Sequence, residues 1–260
     1  CGDAVNAAVP AFAAVFAAVF AFADGARQAH DLAGACGIPL HLIDLHRFPD
    51  GESLVRVHGQ AQTALLFRSL DDPNAKLVEL LLAASALRDR GAGRVILVAP
   101  YLAYMRQDMA FREGEAVSQR VIGRVLASWF DAVVTVDPHL HRIASLGEAI
   151  PGIPAIAVSA APALSQAIAG DLDPATVLVG PDSESRPWVE SIAGPLGLDV
   201  LIGEKVRSGD REVTLDIAGI AAVRGRPAML IDDLVSSGTT LIACARLLRA
   251  AGATRVEALR

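Results

Sequence analysis

Short runs of aliphatic residues alternate with longer amphipathic stretches along most of the chain. Runs such as 95–99 and 228–231 contain no polar residue, which is typical of strands covered on both faces in a parallel sheet. This alternation predicts an α/β architecture of mainly parallel sheets flanked by helices. The predicted strands are 19–23, 40–45, 54–57, 64–68, 95–99, 132–136, 176–179, 199–202, 212–217, 228–231 and 255–258, and the predicted helices are 27–36, 73–90, 117–130, 162–169, 187–196 and 241–248.

Two of these elements carry more specific expectations. Residues 212–217 alternate between polar and apolar side chains, which predicts an antiparallel or edge strand. The helix 73–90 is expected to have Asp71 or Asp72 as its N-cap, Pro73 in its first turn and Gly91 beyond its end.

An internal repeat indicates two related halves. The sequence LRDRGAGRV at 87–95 matches LRAAGATRV at 248–256, each a helix end, a glycine and the start of a strand. We therefore predict domains at 18–150 and 151–260. The first half continues past its repeat into another loop, helix and strand, whereas the second stops at Arg260, so we expect the second domain to be truncated at its C-terminus.

The first residues are apolar. Residues 4–23 contain no charged side chain and are long enough for a membrane span. They are mostly alanine, include Pro10 and lack a basic flank, which favours an N-terminal extension at 1–17 and no membrane partner. The alternative is a membrane anchor, for instance through a lipidated Cys1.

Composition limits the classes of ligand. Hydrophobic residues make up 53% and aromatic residues 5%, so the core is aliphatic, and the formal net charge is −6. An acidic chain of this kind argues against a nucleic-acid surface. Its three cysteines, Cys1, Cys36 and Cys244, show neither metal-ligand spacing nor a disulfide framework, which indicates a reducing, cytoplasmic location.

The segment 229–240 combines a strand end, two carboxylates and a hydroxyl-rich turn before a helix. Backbone N–H groups and a helix N-terminus at such a loop bind phosphate, and a glycine lets the backbone approach the ligand. Adjacent acids are suited to sugar hydroxyls or Mg²⁺, so the segment predicts a site for a phosphorylated ribose. Its candidate residues are Asp232, Asp233, Ser236, Ser237, Gly238, Thr239 and Thr240.

This segment resembles the phosphoribosyl-pyrophosphate loop of two families, the type I phosphoribosyltransferases and the ribose-phosphate pyrophosphokinases. The segment alone does not distinguish them.

Further polar loops follow predicted strands, where a parallel sheet collects its ligands. Phe48 is suited to stack on a base, with Asp50 and Glu52 as acceptors, although taken alone these residues are better explained by an ordinary surface turn with a half-buried Phe. Arg106, beside Gln107, is suited to flank a triphosphate or to stack on adenine, and a solvated loop with local ion pairs explains it equally well.

Two further segments carry chemistry suited to a metal and to a transferring phosphate. His139, with Asp182 from the second half, is suited to hold Mg²⁺ or meet a phosphate. Lys205 and Arg207 lie two residues apart in a polar segment, and with Gly209 as a hinge they are expected to close over a triphosphate. The alternative for the Lys205 segment is a solvent-facing hairpin tip.

Together these segments resemble ribose-phosphate pyrophosphokinases, specifically their archaeal-type branch, from about Val19 to Arg260. The resemblance implies two phosphoribosyltransferase-like domains and Mg²⁺-dependent transfer of the diphosphoryl group of ATP to ribose 5-phosphate. It implies a homo-oligomer in which the Phe48 loop of a neighbouring subunit completes the adenine site. The implied roles are ATP binding for Phe48, Asp50, Glu52, Arg106, Gln107 and His139, metal binding for His139 and Asp182, ribose 5-phosphate binding for residues 232–240, and catalysis for Lys205 and Arg207.

Two positions depart from the pattern of many members. Ser183–Ser185 stand where a glycine pair is common, and Ser236 stands where bacterial members carry a third acid. Two alternatives remain at this point: a phosphoribosyltransferase, which needs no ATP site, and a catalytically silent regulatory homologue, which the retention of Lys205 and Arg207 disfavours.

Overall fold

The chain forms two compact units in a computed structural model that describes residues 16–140, 142–208, 212–233, 235 and 238–259. Of residues 205–208 and 212–214 it describes the backbone. The first unit ends at Val158 and the second begins at Ser159. The expected N-terminal extension lies almost entirely outside the described residues, as do Ser236 and Ser237.

The first unit is built on a seven-stranded sheet in the order β3-β2-β1-β4-β5-β6-β7. All neighbouring strands are parallel except the pair β2 and β3. The strands are β1 Ala17–Phe22, β2 Leu40–Arg47, β3 Ser53–Arg56, β4 Thr63–Phe67, β5 Arg94–Ala99, β6 Ala132–Val136 and β7 Ala155–Val158, and the helices are α1 Ala26–Cys36, α2 Pro73–Asp89, α3 Ser118–Trp129 and α4 Leu146–Ala149.

Helices cover both faces of this sheet, which explains its continuous apolar strands. Phe20 and Phe22 of β1 pack into one core with Leu80 of α2, whereas Val19 and Ala21 pack with the alanines of α1. Successive strand residues point to opposite faces, so β1 is buried on both sides.

The second unit repeats this plan with a five-stranded sheet in the order β10-β9-β8-β11-β12. Its neighbouring strands are parallel except for β9 and β10. The strands are β8 Val177–Gly180, β9 Asp199–Ser208, β10 Glu212–Ile217, β11 Pro227–Ile231 and β12 Arg255–Leu259, and the helices are α5 Ala161–Ile168, α6 Arg186–Ala193 and α7 Thr239–Ala250.

The two sheets show that the halves are related. The order β3-β2-β1-β4-β5 corresponds strand by strand to β10-β9-β8-β11-β12, with one antiparallel pair at the same edge of each. The sequence repeat lies in equivalent elements, since 87–95 joins α2 to β5 and 248–256 joins α7 to β12. The prediction of two similar α/β domains is confirmed.

Each unit has an antiparallel ribbon that extends past the carboxyl edge of its parallel strands. Phe22, the last residue of β1, pairs with Ile43, but β2 continues to Arg47. Gly180, the last residue of β8, pairs with Ile202, but β9 continues to Ser208. At about 3.3 Å per residue, the first ribbon projects roughly 13 Å and the second roughly 20 Å beyond that edge.

The predicted strands correspond to observed ones, and residues 212–217 form the expected antiparallel edge strand. Sequence reasoning missed β7 and α4, which are both four residues long. The strand β7 is a largely exposed edge strand that pairs with β6, so its side chains lack the buried pattern of the others. The domain boundary drawn from sequence, at 150, precedes this strand.

The start of α2 corrects one expectation. Asp72 is the N-cap residue and Pro73 begins the helix, but Asp72 has a φ of 49° and its side chain makes no capping hydrogen bond. Asp71 instead forms an ion pair with Lys76 at 2.9 Å. Asp72 thus occupies the expected N-cap position but does not supply the expected side-chain hydrogen bond, and the Asp71 carboxylate is engaged by Lys76.

Gly123 in α3 provides a test of helix packing. A Cβ atom at this position would overlap the backbone carbonyl oxygen of Ala149. Because the obstructing atom belongs to the backbone, it cannot move aside as the end of a flexible side chain could. We expect Gly123→Ala to destabilise the first unit by about 1–3 kcal/mol, as overpacking does. Gly34→Ala in α1 meets open space and is expected to stabilise by about 0.5–1 kcal/mol, so denaturant unfolding of the two variants should move in opposite directions.

In the described part of the chain, no helix has the length and apolar character that crossing a membrane requires.

Candidate functional site

The carboxyl edge of the second sheet collects the predicted acids. Asp182 follows β8, and Asp232 and Asp233 follow β11. The two strands are neighbours in register, with Val179 opposite Leu230, so they end at the same edge. Asp182 and Asp232 are half-buried and Asp233 is exposed. The structure therefore brings the acid of the first loop and the acid pair of the second to adjacent strand ends.

Two glycines allow the loop with Asp182 to lie close to β9. A Cβ on Gly203 would lie 2.6 Å from the carbonyl oxygen of Pro181, and a Cβ on Gly180 would overlap the Ser185 hydroxyl. Asp182 begins a 3₁₀ turn, Ser183–Ser185, in which its carboxylate accepts the Ser185 N–H at 3.3 Å. The Ser-Glu-Ser sequence that replaces the usual glycine pair thus forms a regular turn.

The loop after β11 leads into the N-terminus of α7. Gly238 adopts a φ of 73°, which favours glycine, and it immediately precedes Thr239 and Thr240 in the first turn. The N–H groups of a first helical turn have no partner within the helix and bind anions. This backbone is suited to a phosphate, while the hydroxyls of Ser236 and Ser237 lie outside the described residues.

Lys205 and Arg207 lie in the projecting part of β9. Their backbone pairs with β10, Lys205 opposite Leu215 and Arg207 opposite Val213. Lys205 is three residues past Ile202, hence roughly 10 Å beyond the edge at which Asp182 and the Asp232 loop begin. The sequence predicted a polar segment that closes over a triphosphate with Gly209 as its hinge, with a solvent-facing hairpin tip as the alternative. Residues 205–208 form a paired strand, and Gly209 lies outside the described residues, so the closure stays a prediction.

The loop at Phe48 forms the tip of the β2–β3 ribbon. It is closed by a hydrogen bond from the Phe48 N–H to the Glu52 carbonyl at 2.8 Å, and Gly51 has a φ of 93°. The Asp50 carboxylate accepts the Glu52 N–H at 3.1 Å. The Phe48 ring is 40% exposed and packs edge-on against His46. An ordered loop thus presents an exposed ring together with two carboxylates.

Arg106, Gln107 and His139 lie at the carboxyl ends of β5 and β6. Ala99 of β5 pairs with Thr135 of β6, so the segments that follow share one edge. Arg106 is exposed, whereas the Gln107 side chain accepts the Ser118 hydroxyl at 3.0 Å. The structure brings the Arg106 segment and His139 to neighbouring strand ends.

The first unit does not bring the Phe48 loop to these residues. β2 is separated from β5 by β1 and β4, three steps across the sheet. At about 4.8 Å per step, the strands β2 and β5 are roughly 14 Å apart. The predicted ATP-binding residues therefore fall into two groups within one chain.

Sequence reasoning missed a buried ionic network at this same edge. Arg68 is 2% exposed and follows β4, and Glu79 of α2 is fully buried. Arg68 Nη1 lies 2.6 Å from Glu79 Oε2, and Arg68 Nε donates to Asp24 at 3.2 Å. The signal was an acid within the apolar helix sequence LVELLLAASAL, where a charge remains only when it is paired.

The network extends at both ends and lowers the pKa of two of its carboxyl groups, those of Asp71 and Glu79. Lys76 joins Asp24 at 3.5 Å and Asp71 at 2.9 Å, and Arg47 Nε donates to Glu79 at 3.0 Å. The hydrogen bond from Lys76 lowers the pKa of Asp71 below 3.8. Burial raises the pKa of Glu79, but the hydrogen bonds from Arg47 and Arg68 outweigh it and bring the pKa below 4.5.

The donor set fits a hard divalent cation. In the described ranges no group of three or more His, Cys, Asp or Glu side chains is close enough to hold a metal by itself. Mg²⁺ is bound in nucleotide sites by one or two carboxylates with water and substrate phosphates, so a complete protein cage is not required. Asp182 and the Asp232–Asp233 pair supply carboxylates of this kind at adjacent strand ends.

Comparison with known families assigns both units. Residues 17–129 match the family described as the N-terminal domain of ribose phosphate pyrophosphokinase, and residues 148–259 match the phosphoribosyl transferase domain.

Individual relatives agree with this assignment. The chain is 34% identical to a ribose-phosphate pyrophosphokinase of Methanopyrus kandleri over 90% of its own length and 80% of the relative's, and 32% identical to one of Thermococcus kodakarensis over 92% and 83%. A crystal structure of phosphoribosylpyrophosphate synthetase from Mycobacterium smegmatis superimposes with a TM-score of 0.79 at 26% identity, covering 94% of this chain and 81% of that one.

Proposed function

Since this chain belongs to the ribose-phosphate pyrophosphokinase family of ATP-dependent transferases, we propose that it transfers the diphosphoryl group of ATP to the 1-hydroxyl of ribose 5-phosphate. The products are phosphoribosyl pyrophosphate and AMP. The observation that carries the proposal is the carboxyl edge of the second sheet, where Asp182, the Asp232 loop and the projecting β9–β10 ribbon meet.

Ribose 5-phosphate binds at the loop between β11 and α7. The 5-phosphate accepts hydrogen bonds from the N–H groups of the first turn of α7 and from the hydroxyls of Thr239 and Thr240. Ser236 and Ser237 complete the loop. Asp232 and Asp233 accept hydrogen bonds from the ribose hydroxyls. These contacts hold the 1-hydroxyl for in-line attack on the β-phosphorus, and such positioning supplies much of the rate of a phosphoryl transfer.

Lys205 and Arg207 stabilise the transferring group. As the β-phosphorus passes from AMP to the ribose, negative charge is spread over the oxygens of both groups. Their backbone lies on a paired strand, which fixes the positions from which the two residues act, and fixed positions are what electrostatic stabilisation requires.

ATP binds through the first unit's loops. Arg106, with Gln107 beside it, and His139 occupy neighbouring strand ends, whereas Phe48, Asp50 and Glu52 form the separate ribbon tip. A separation of roughly 14 Å between β2 and β5 supports the proposal that the Phe48 loop completes the adenine site of a neighbouring subunit in a homo-oligomer. Both substrates are phosphorylated metabolites of the cytoplasm, and we place the enzyme there.

Mg²⁺ is the proposed cofactor. His139 and Asp182 would hold the ion that accompanies ATP, with Asp232 and Asp233 near a second on the ribose side. When bound, Mg²⁺ neutralises phosphate oxygens and orients the triphosphate.

We expect the purified protein to form AMP from ATP and Mg²⁺ when ribose 5-phosphate is added. The reaction needs the ribose hydroxyl as acceptor, so AMP and phosphoribosyl pyrophosphate should appear in equal amounts by chromatography. Omission of ribose 5-phosphate, or chelation of the metal, should abolish both.

Two results would contradict the proposal. Release of phosphate from ATP without AMP would indicate a different transfer, and conversion of phosphoribosyl pyrophosphate and a base to a nucleotide without ATP would indicate a phosphoribosyltransferase.

A further inference from the structure

One buried carboxylate reaches both ends of the Phe48 loop. Arg47 is the last residue of β2 and Ser53 is the first residue of β3. The two lie opposite each other and flank the loop 48–52. Glu79 Oε1 accepts from Arg47 Nε at 3.0 Å and from the Ser53 hydroxyl at 3.1 Å. We call these three side chains the loop clamp.

The clamp is anchored in the core of the first unit. Glu79 projects from the middle of α2 and is fully buried, so its own position is fixed by packing. Its other oxygen lies 2.6 Å from the guanidinium of Arg68, which also contacts Asp24 and stacks over the Phe22 ring at 4.0 Å. A rigid chain of contacts therefore runs from β1 and β4 to the base of an edge ribbon.

The ribbon needs such an anchor because its tip projects beyond the parallel sheet. β3 is four residues long and lies at the sheet edge, where a short antiparallel pair by itself is marginally stable. The Glu79 carboxylate adds two charge-assisted hydrogen bonds at the last register pair, directly below Phe48 and Glu52.

We propose that Glu79 is a positioning residue for nucleotide binding, which acts by holding the Phe48 loop in its binding conformation through Arg47 and Ser53. This inference rests on the proposed function, since it assigns Phe48, Asp50 and Glu52 to ATP. Arg47, Ser53 and Glu79 do not themselves touch the substrate. Their role is to raise the fraction of chains in which the loop is ready to bind.

The test loosens the loop while leaving the buried Arg68–Glu79 pair in place. The variant Arg47→Gln/Ser53→Ala removes both contacts to Glu79 Oε1 in the full chain. If the competent fraction of the loop falls to about a tenth, the apparent affinity for ATP falls about tenfold. We expect the KM for ATP to rise about tenfold, with kcat at saturating ATP and the KM for ribose 5-phosphate within about twofold, because bound ATP restores the loop.

Hydrogen exchange adds a measurement that does not depend on turnover. The Phe48 and Gly51 amides are hydrogen-bonded within the loop and should exchange faster in the variant, while β4 and β5 amides keep their protection. Ser53→Thr retains the hydroxyl and is expected to behave as wild type. Arg56→Gln, an exposed change on the same ribbon opposite Asp44, is the matched control and should alter neither readout.

The possible failures are distinct. A wild-type protein that forms no AMP overturns the proposed function and this inference with it. An active wild type whose double variant keeps its KM for ATP overturns the inference alone, even if the loop amides exchange faster. A rise in both KM values together with a fall in kcat also overturns it, because a general structural defect would explain that result. Unchanged exchange of the loop amides overturns it as well, because the clamp would then not be needed to hold the loop.

Discussion

We expect Lys205→Ala to lower the kcat for AMP formation by about 100- to 1000-fold. Loss of one preorganised charge that stabilises a transition state typically removes about 2.7–4 kcal/mol. Lys205 lies in the paired part of β9, so the substitution shortens a side chain without breaking the strand. Because the charge acts mainly as the phosphoryl group moves, the KM values should change much less than kcat, which steady-state assays with each substrate varied in turn will show.

Two further variants serve as controls for Lys205→Ala. Lys205→Arg keeps a cation and is expected to retain part of the lost rate, although a planar guanidinium differs in shape from an ammonium group. Glu204→Gln changes the exposed neighbour that lies opposite Asp216 in β10, and it should leave kcat within about twofold. If Lys205→Ala kept most of its rate, the assignment of Lys205 as the main catalytic charge would be wrong. Arg207 would then be substituted next.

The parts of the fold that sequence predicted are those with continuous apolar stretches bounded by clear turn or helix-end signals. The strand 95–99 and the helix 73–90 are long, continuous patterns, and both appear within one residue of their predicted bounds. The four-residue edge strand Ala155–Val158 has no such pattern, because its side chains are mostly exposed and its pairing depends on β6, distant in sequence. Local signals cannot specify a contact of that kind.

Some features of the candidate site were likewise predicted from the sequence, and others were not. Acids and glycines at strand ends, such as Asp182 and Gly238, were visible because their position follows directly from the strand pattern. The continuation of β9 from Ile202 to Ser208 was not predicted, because the polar segment 204–208 fits a loop or a hairpin tip equally well until its partner β10 is known. The separation between the strands that carry the Phe48 loop and His139 likewise follows only from strand order, which places β1, β4 and β5 between β2 and β6.

Glu79 and Arg68 show a different limit. A lone acid in an apolar helix signals a buried ion pair, but its partners come from four separate segments, namely Arg47, Ser53 and Arg68 directly and Asp24 through Arg68. No spacing rule links residues so far apart. The network also lies at the carboxyl edge of β1 and β4, and the corresponding edge of the second unit carries the proposed ribose 5-phosphate residues. The corresponding edges of the two related units therefore carry different sets of polar side chains.

The largest effect on stability is expected from Arg68→Met. The substitution removes the partner of a fully buried carboxylate, and neither Arg68 Nη1 nor Glu79 Oε2 forms a hydrogen bond elsewhere in the described part of the chain. Leaving a buried charge without its partner costs about 3–5 kcal/mol, and we expect a loss of that size in the unfolding free energy of the first unit at pH 7. Arg186→Met breaks an exposed ion pair with Glu190 and should cost less than about 1 kcal/mol.

The double variant Arg68→Met/Glu79→Leu separates charge from packing. Replacing a buried ion pair by apolar groups of similar volume is often close to neutral, so the double variant should lose less than the sum of the two single losses. Some loss remains, because a leucine side chain cannot accept the hydrogen bonds that Arg47 and Ser53 donate to Glu79. Strictly additive losses in urea unfolding would show that the Arg68–Glu79 contact carries no coupling energy.

The pH dependence of the Arg68→Met effect provides the most direct evidence for its cause. In the wild type the pKa of Glu79 is held below 4.5, so the stability from its ionised form is present above about pH 4.5 and is lost as the pH falls through the lowered pKa. In Arg68→Met the guanidinium is gone and burial raises the pKa of that carboxyl, which then takes up its proton at higher pH. The difference in unfolding free energy between the two proteins should therefore be largest at a pH above the raised pKa of the variant. It should begin to shrink as the pH falls through that raised pKa, and it should go on shrinking below about pH 4.5 as Glu79 of the wild type is protonated. A difference that stayed constant across this range would mean that Arg68 stabilises the unit by packing on Phe22 rather than by its charge.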